Sequence, residues 1–337
     1  MKKKLTAVLK YLLFLGLGIF LVWWSLRAIP DEKWGDFKAS LSGARYWLIL
    51  PVFGILTLSH WLRAKRWNML IEPMGYTPSM KNSFFAVMVG YLANLAVPRL
   101  GEVLKCTILA RYEKIPADKL IGTIVAERAV DVISLGFVFL LAMTFQYDIV
   151  GSYLAELLLP FMKNKQGELS IEKILVFVIV LCVIAASIFA LLKKFGNNPT
   201  VAFIKKTIKG AFEGLSSVTK MKGKGIFVLY SAAIWILYAL GTWVGMWATI
   251  GTEHLGIGAA FSALFFASIG MIVTPGGIGA YALFLATALE KNGIPFELAF
   301  ANGTLQWFAQ FIIVLIWGFV SLGLLPILNK KKQHETS

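Results

Sequence analysis

Charge is scarce in this chain. Charged residues make up 15% of its 337 residues, against roughly 25% in ordinary soluble domains. Apolar residues make up 58% even with glycine left out. Too little polar surface remains to cover a soluble globule of this size. That deficit excludes a soluble enzyme, a disordered tail protein and a secreted disulfide scaffold. Cysteine is almost absent too. Cys106 and Cys182 both lie inside apolar runs, so neither a disulfide framework nor a thiolate metal site is expected. The three histidines, His60, His254 and His334, are far apart and have no ligand-like neighbours. There is no P-loop, no G-x-S-x-G elbow, no H-E-x-x-H pair and no Asp-x-Asp pair. No metal, no cofactor and no catalytic residue is therefore expected. The longest polar stretch, 193–225, is far below domain size. Chemistry needing a soluble nucleotide-binding domain would need a second polypeptide.

What the chain does have is long apolar runs. A spanning helix needs about 20 mainly apolar residues. Six segments qualify: 5–26, 46–62, 120–145, 174–192, 226–250 and 298–325. The first is too long for a signal h-region and ends in Val22-Trp23-Trp24, so it reads as a retained helix with an interfacial aromatic belt. Two further stretches are interrupted. Pro98-Arg99-Leu100-Gly101-Glu102 breaks 82–110, and Pro275-Gly276-Gly277-Ile278-Gly279 breaks 259–290.

The net charge of +15 sits mainly in short loops, which reads as membrane orientation and not as a nucleic-acid surface. With the N-terminus in the cytoplasm, 63–81, the lysine-rich 193–225 and the tail after Lys330 all fall inside, and 146–173 falls outside. This holds only if each interrupted stretch enters and leaves on one side. Each therefore reads as a re-entrant hairpin. Non-helical backbone at membrane depth is tolerated where protein buries it or where it lines a wet cavity. The expected fold is an all-α polytopic domain, 1–337, with six full spans and two re-entrant hairpins. Its halves, 5–145 and 174–325, repeat the order of two spans, a hairpin and a span. They run in opposite directions, as an inverted repeat does. Pro116 and Pro295, Glu127-Arg128 and Gln306-Trp307, and Asp131 and Gln310 recur in step. Segment 198–225 reads either as an amphipathic helix on an anionic leaflet or as a solvated basic loop.

Three charges lie within the third span. Starting it after Asp131 would leave fourteen residues, Val132 to Phe145, which reach only about 21 Å at 1.5 Å each. The helix must start near Leu120, so Glu127, Arg128 and Asp131 lie inside it. Each unpaired charge at depth costs about 2.5–3.5 kcal/mol. They must be paired or hydrated: either a local ion pair that pins the helix to the first hairpin, or the lining of a polar cavity. Arg99 and Glu102 sit at the hairpin tip beside Pro98 and Gly101. The half-helix starting there offers its amides to an anion, and Arg99 offers a fork suited to phosphate. Alternatively, Arg99 pairs with Glu127 or Asp131. At the second tip, Gly276, Gly277 and Gly279 suit a backbone that is read directly, that hinges, or that packs closely. Gly241 and Gly245 read as helix packing. Arg63, Lys65, Arg66 and Trp67 read as an interfacial anchor.

Taken together, Arg63-x-x-Arg66-Trp67, Asn94-x-x-x-Pro98-Arg99-x-Gly101-Glu102, Glu127-Arg128-x-x-Asp131 and Pro275-Gly276-Gly277-x-Gly279 resemble the flippase-like family, also called the lysylphosphatidylglycerol synthase transmembrane region. The resemblance covers about 5–325. It implies a protein of the cytoplasmic membrane, both termini inside, that acts on lipids. Two departures matter. Family members often carry an acid where Tyr281 stands, and the aminoacyl-transferring domain of the bifunctional relatives is expected to be absent.

The expected function is transfer of a phospholipid or polyprenyl-phosphate-linked headgroup between leaflets. Asn94, Arg99, Glu102, Glu127, Arg128 and Asp131 would line the path, with Pro98, Gly101, Pro275, Gly276, Gly277 and Gly279 at the hairpin tips. The alternatives are a membrane-embedded lipid-modifying transferase, or the membrane half of one with a separate soluble partner, and a scaffold for envelope synthesis. The hairpin has a direct test. A cysteine at Tyr112, with Cys106 and Cys182 removed, should stay unlabelled by an impermeant thiol reagent added from outside. Labelling there would overturn the first hairpin and the inverted repeat with it.

Overall fold

The computed structural model describes residues 2–97, 99–152, 221 and 223–334, with isolated positions between 159 and 183. Cys182, Pro98 and most of the expected span 174–192 and of the expected loops 146–173 and 193–225 lie outside the described residues. Among the described residues there is no strand.

Turn-forming residues divide the chain. Helix α1 (Lys2–Arg27) stops before Pro30, and α2 (Trp34–Ser42) is short. Helix α3 (Ile49–Ile71) runs on until Pro73 and a left-handed Gly75 (φ 85°). Helices α4 (Met80–Ala96) and α5 (Leu100–Glu113) are separated by an extended Val97 and by Arg99 at φ 66°. Pro116 then opens α6 (Ala117–Phe145). After the left-handed Gly223 come α7 (Lys224–Met246), α8 (Ile257–Val273), α9 (Ala280–Glu290) and α10 (Phe296–His334).

Among the described residues, three helical stretches are long and apolar enough to cross a bilayer: Tyr46–Met74, Lys224–Met246 and Phe296–Lys330. The apolar end of α1, with α8 and α9, is shorter. Helix α6 has 29 residues and begins upstream of its three charges, as the length argument requires. Large apolar side chains such as Leu50, Phe137, Val228, Leu229 and Phe319 face outward, where lipid would cover them.

Both interrupted stretches are helical hairpins. Helix α5 folds back along α4 so closely that a Cβ on Gly101 would lie 1.8 Å from the Gly90 carbonyl oxygen. In the second hairpin, a Cβ on Gly270 would lie 2.6 Å from the Ala280 oxygen. The two tips approach each other, with Gly276 against the Leu95 side chain. Packing then repeats pair by pair. Helix α3 packs on α4 as α7 does on α8, and α5 on α6 as α9 does on α10. Each hairpin also crosses over: α4 packs on α10, and α8 packs on α6. Helices α3 and α7 join the halves along Gly241, where Leu56 fits against the missing side chain. Two cores result. One centres on Trp67, Ile71, Met88, Leu109 and Leu120, the other on Ala260, Ala263, Ala267, Leu285 and Phe300.

The glycine contact sets a strong constraint. Gly101→Ala puts a methyl group into backbone and should cost about 3 kcal/mol, the upper end for overpacking. Gly136 has open space around it, so Gly136→Ala should be neutral or slightly stabilising. Monodisperse yield in detergent size-exclusion chromatography should fall sharply for the first variant only. Equal yields would show that the close approach is not required.

Candidate functional site

Helical spacing sets up the site before any tertiary contact forms. Arg63, Arg66 and Trp67 share one face of α3, at i, i+3 and i+4. Thr123, Glu127 and Asp131 share one face of α6 at successive steps of four. The two faces meet, and Lys105 reaches in from α5.

Glu127 is 1% exposed and takes cations from two sides. Lys105 Nζ donates to Oε2 at 2.6 Å, and Arg63 Nη1 donates to Oε1 at 3.1 Å. Asp131 sits between both arginines. Arg63 Nη1 donates to Oδ2, and Arg66 Nη2 to Oδ1, each at 2.6 Å. Arg66 is fully buried and also reaches Ser231 of α7 at 3.3 Å. Arg63 likewise reaches Tyr238 of α7 at 3.3 Å. Trp67 lies under Lys105, 4.6 Å from ring centre to ammonium, and donates to Thr123 at 2.8 Å. Burying ions is costly unless each finds a close partner, and here each does.

This overturns the reading of Arg63, Lys65, Arg66 and Trp67 as an interfacial anchor. Ending the second span at residue 62 left those side chains outside it. The helix in fact runs nine residues further, to Ile71, and carries Arg63, Arg66 and Trp67 into the core. Lys65 alone stays at the exposed side, over the Tyr230 ring. The signal was present in the sequence. No helix-stopping residue occurs between Arg63 and Pro73, and the charges inside α6 leave partners to be found.

Arg128 lies on another face of α6 from Glu127. Its side chain is 45% exposed and pairs with Glu102 at 3.2 Å, more closely than with Asp131 at 3.8 Å. Arg99 is exposed at the hairpin tip, and among the described residues no ion pair includes it. The alternative in which Arg99 pairs with Glu127 or Asp131 therefore fails. Asn94 accepts a bond from the Gly101 amide at 2.8 Å, so it caps the first turn of α5. At the second tip, Gly276 offers its carbonyl to Trp307 at 2.8 Å, and Gly279 packs on the α1 backbone at Gly18.

Between the halves lies a cavity of about 700 Å³. Its polar lining combines Arg63, Asn94, Arg128 and Asp131 with Tyr281, Gln306 and Gln310 of the second half. Val132, Leu135, Phe308 and Ile312 give it apolar walls. Glu127, Glu102 and Arg99 are not part of that lining; Glu127 lies behind it and holds the arginines. Among the described residues, neither His60 Nδ1 nor Arg63 Nε, at the wall, has a hydrogen-bond partner. Charge does not balance. Arg63, Arg66 and Lys105 face only Glu127 and Asp131, and the Arg128–Glu102 pair adds nothing net. One positive charge is left over among the described residues of the cluster.

The family model described as "Lysylphosphatidylglycerol synthase TM region" matches residues 8–318. The UPF0104 membrane protein MJ1595 of Methanocaldococcus jannaschii is 21% identical over 300 residues, covering 84% of this chain and 87% of that protein. No solved structure matches significantly.

The cluster predicts which substitutions cost stability. Glu127→Gln leaves Lys105 and Arg63 buried beside one carboxylate and should cost about 3–5 kcal/mol. Folded yield should drop, and adding Lys105→Met should recover much of it. Arg128→Gln, half in solvent, should leave yield unchanged. Full yield and unchanged thermal stability in Glu127→Gln alone would contradict the paired cluster.

Proposed function

The chain belongs to the lysylphosphatidylglycerol synthase TM region family, and we propose that this multi-pass membrane protein moves an anionic lipid headgroup between leaflets through the cavity between its two hairpins. One observation carries the reading: the charge cluster holds one more cation than carboxylates, at the wall of a cavity within an apolar fold. An uncompensated charge in such surroundings is expensive. A phosphate-bearing headgroup would neutralise it and release that cost. Arg63 and Arg128 face the cavity, and guanidinium forks match phosphate oxygens two at a time. Arg128 is held mainly by a part-exposed pair with Glu102, which water weakens, so it can exchange that carboxylate for a phosphate. The apolar walls suit acyl or prenyl chains.

The halves support a path open to both sides in turn. Tyr281, Gln306, Trp307 and Gln310 stand where Glu102, Glu127, Arg128 and Asp131 stand in the first half, each 179 positions on. The repeated packing of α3 to α6 by α7 to α10 fits the same correspondence. On this reading the halves form an inverted repeat, the hairpins are re-entrant from opposite faces, and they meet near the midplane. Rocking one half against the other would expose the cavity alternately. The positive-inside bias supports a cytoplasmic position for both termini on this reading.

Proteoliposomes test this. Head-labelled phosphatidylglycerol in the outer leaflet should become protected from an impermeant quencher faster than labelled phosphatidylcholine, with no change in lipid mass. Arg128→Gln should slow the anionic lipid about tenfold at equal protein abundance, the loss of roughly one charged hydrogen bond. Equal rates for both headgroups would remove the anion reading. A change in lipid mass would indicate a transferase instead.

A further inference from the structure

The cavity wall formed by α3 and α7 holds nitrogen that nothing pairs. Eight buried side-chain polar atoms have no hydrogen-bond partner among the described residues. Three of them, His60 Nδ1, Arg63 Nε and Trp235 Nε1, belong to residues that line the cavity. The three residues gather round one phenol. Arg63 Nη2 donates to Tyr238 at 3.3 Å, and the Tyr238 ring lies 5.7 Å from the Trp235 ring and 6.5 Å from the His60 ring. His60 and Arg63 are one turn apart on α3, as Trp235 and Tyr238 are on α7. Tyr91 of α4 closes the group, its ring 5.0 Å from that of His60. Buried polar groups without partners are uncommon, so three at one cavity wall point to a ligand.

Their chemistry narrows it. Arg63 is 5% exposed and spends Nη1 on Glu127 and Asp131. Its Nε–H and one Nη2–H remain, side by side, as a fork for phosphate. The groups beyond it are different. Trp235 Nε1 only donates, His60 Nδ1 donates or accepts according to its tautomer, and Tyr238 Oη, which accepts from Arg63, keeps a hydrogen to give. A hydroxyl, which accepts and donates, satisfies all three. An ammonium only donates. It finds no free carboxylate either. Among the described residues of the lining Asp131 is the one acid, and guanidinium groups hold both its oxygens at 2.6 Å. A second phosphate is no better suited, because the cluster has one surplus cation and Trp235 and Tyr238 add no charge.

We propose that His60, Trp235 and Tyr238 form a second part of the headgroup site and bind the hydroxyls of a polyol. The lipid carried then has glycerol or a sugar on its phosphate, and not an amino alcohol. The inference rests on the proposed headgroup pathway. The phosphate lies on the free edge of Arg63 and on Arg128, and the polyol continues toward Tyr238. Each unpaired nitrogen is covered by its neighbours, so pairing it takes a small turn of its side chain, which the bond gained offsets.

The test reads binding and needs no transport. Thermal unfolding of the purified protein in detergent is followed while short-chain lipids with identical acyl chains are added. Phosphatidylmethanol has the same single charge as phosphatidylglycerol and no hydroxyl on its headgroup. Phosphatidylglycerol should bind about tenfold tighter than phosphatidylmethanol, and phosphatidylethanolamine should bind most weakly. Trp235→Phe keeps a ring and removes the N–H. It should weaken phosphatidylglycerol about fivefold, the loss of one neutral hydrogen bond, and leave phosphatidylmethanol unchanged. Equal affinities for these two lipids in the wild-type protein overturn the polyol site and leave the anionic-headgroup pathway standing. No shift with either lipid overturns both. Equal weakening of both lipids by Trp235→Phe would put that N–H on the phosphate and also overturn the polyol site. If Trp235→Phe fails to fold, the wild-type comparison still decides. Soluble glycerol phosphate should shift the midpoint far less than the lipid. An equal shift would overturn the lipid as ligand in favour of a soluble polyol phosphate.

Discussion

Glu127 and Asp131 are the pivots of the first half. Two carboxylates on one face of α6 bind three cations brought by α3 and α5. Each ion would cost several kcal/mol if buried alone, so none can move far without the others. That mutual dependence fixes how deeply the first hairpin inserts, because Lys105 stands on its returning arm. It also fixes α7, which supplies Ser231 and Tyr238 to the same arginines. The halves are thus joined at their most polar point. The surplus cation faces the cavity because α6, α5 and α3 cannot supply another acid there.

The second half solves the same packing problem without ions. Gln306 bonds Asn302 where Glu127 bonds Lys105, and Gln310 bonds Tyr281 at the position of Asp131. On the proposed repeat Gly245 would occupy the place of Arg66; it lets the Gln306 side chain lie against the α7 backbone. Neutral hydrogen bonds contribute about 1 kcal/mol each and tolerate exchange of partners. Buried ion pairs do not. The ionic half is the anchor, and the amide half is where rearrangement costs least.

Much of this was legible in the sequence, for local reasons. Proline and glycine clustered together break a helix where a single one need not, so the interruptions at 98–102 and 275–279 marked the two hairpins. The length of apolar run after Asp131 was too short to span, so Glu127, Arg128 and Asp131 had to lie inside α6, as they do. The division of labour among them was not legible. Arg128 is adjacent to Glu127, yet it points about 100° away around the helix and meets Glu102 at the surface. Arg63 and Arg66 were misplaced because a run of basic residues at the end of an apolar segment is locally identical to an anchor. Only the continuation of α3 to Pro73 separates the two.

By itself, the sequence determined that this chain is a helical membrane protein, where its helices break, and that three charges lie within one long helix. These follow from hydropathy, residue spacing and backbone sterics, which act over a few residues. Only the tertiary structure decided which charges neutralise which. A buried ion demands a partner but does not name it, and Arg66 and Asp131 are 65 residues apart in the chain. The oxygen cluster at Thr249, Thr252 and Asn302 was equally hidden. Threonine and asparagine are ordinary residues in a helical membrane protein. They become a group only when α10 is laid across the end of α7 and Asn302 meets both threonines.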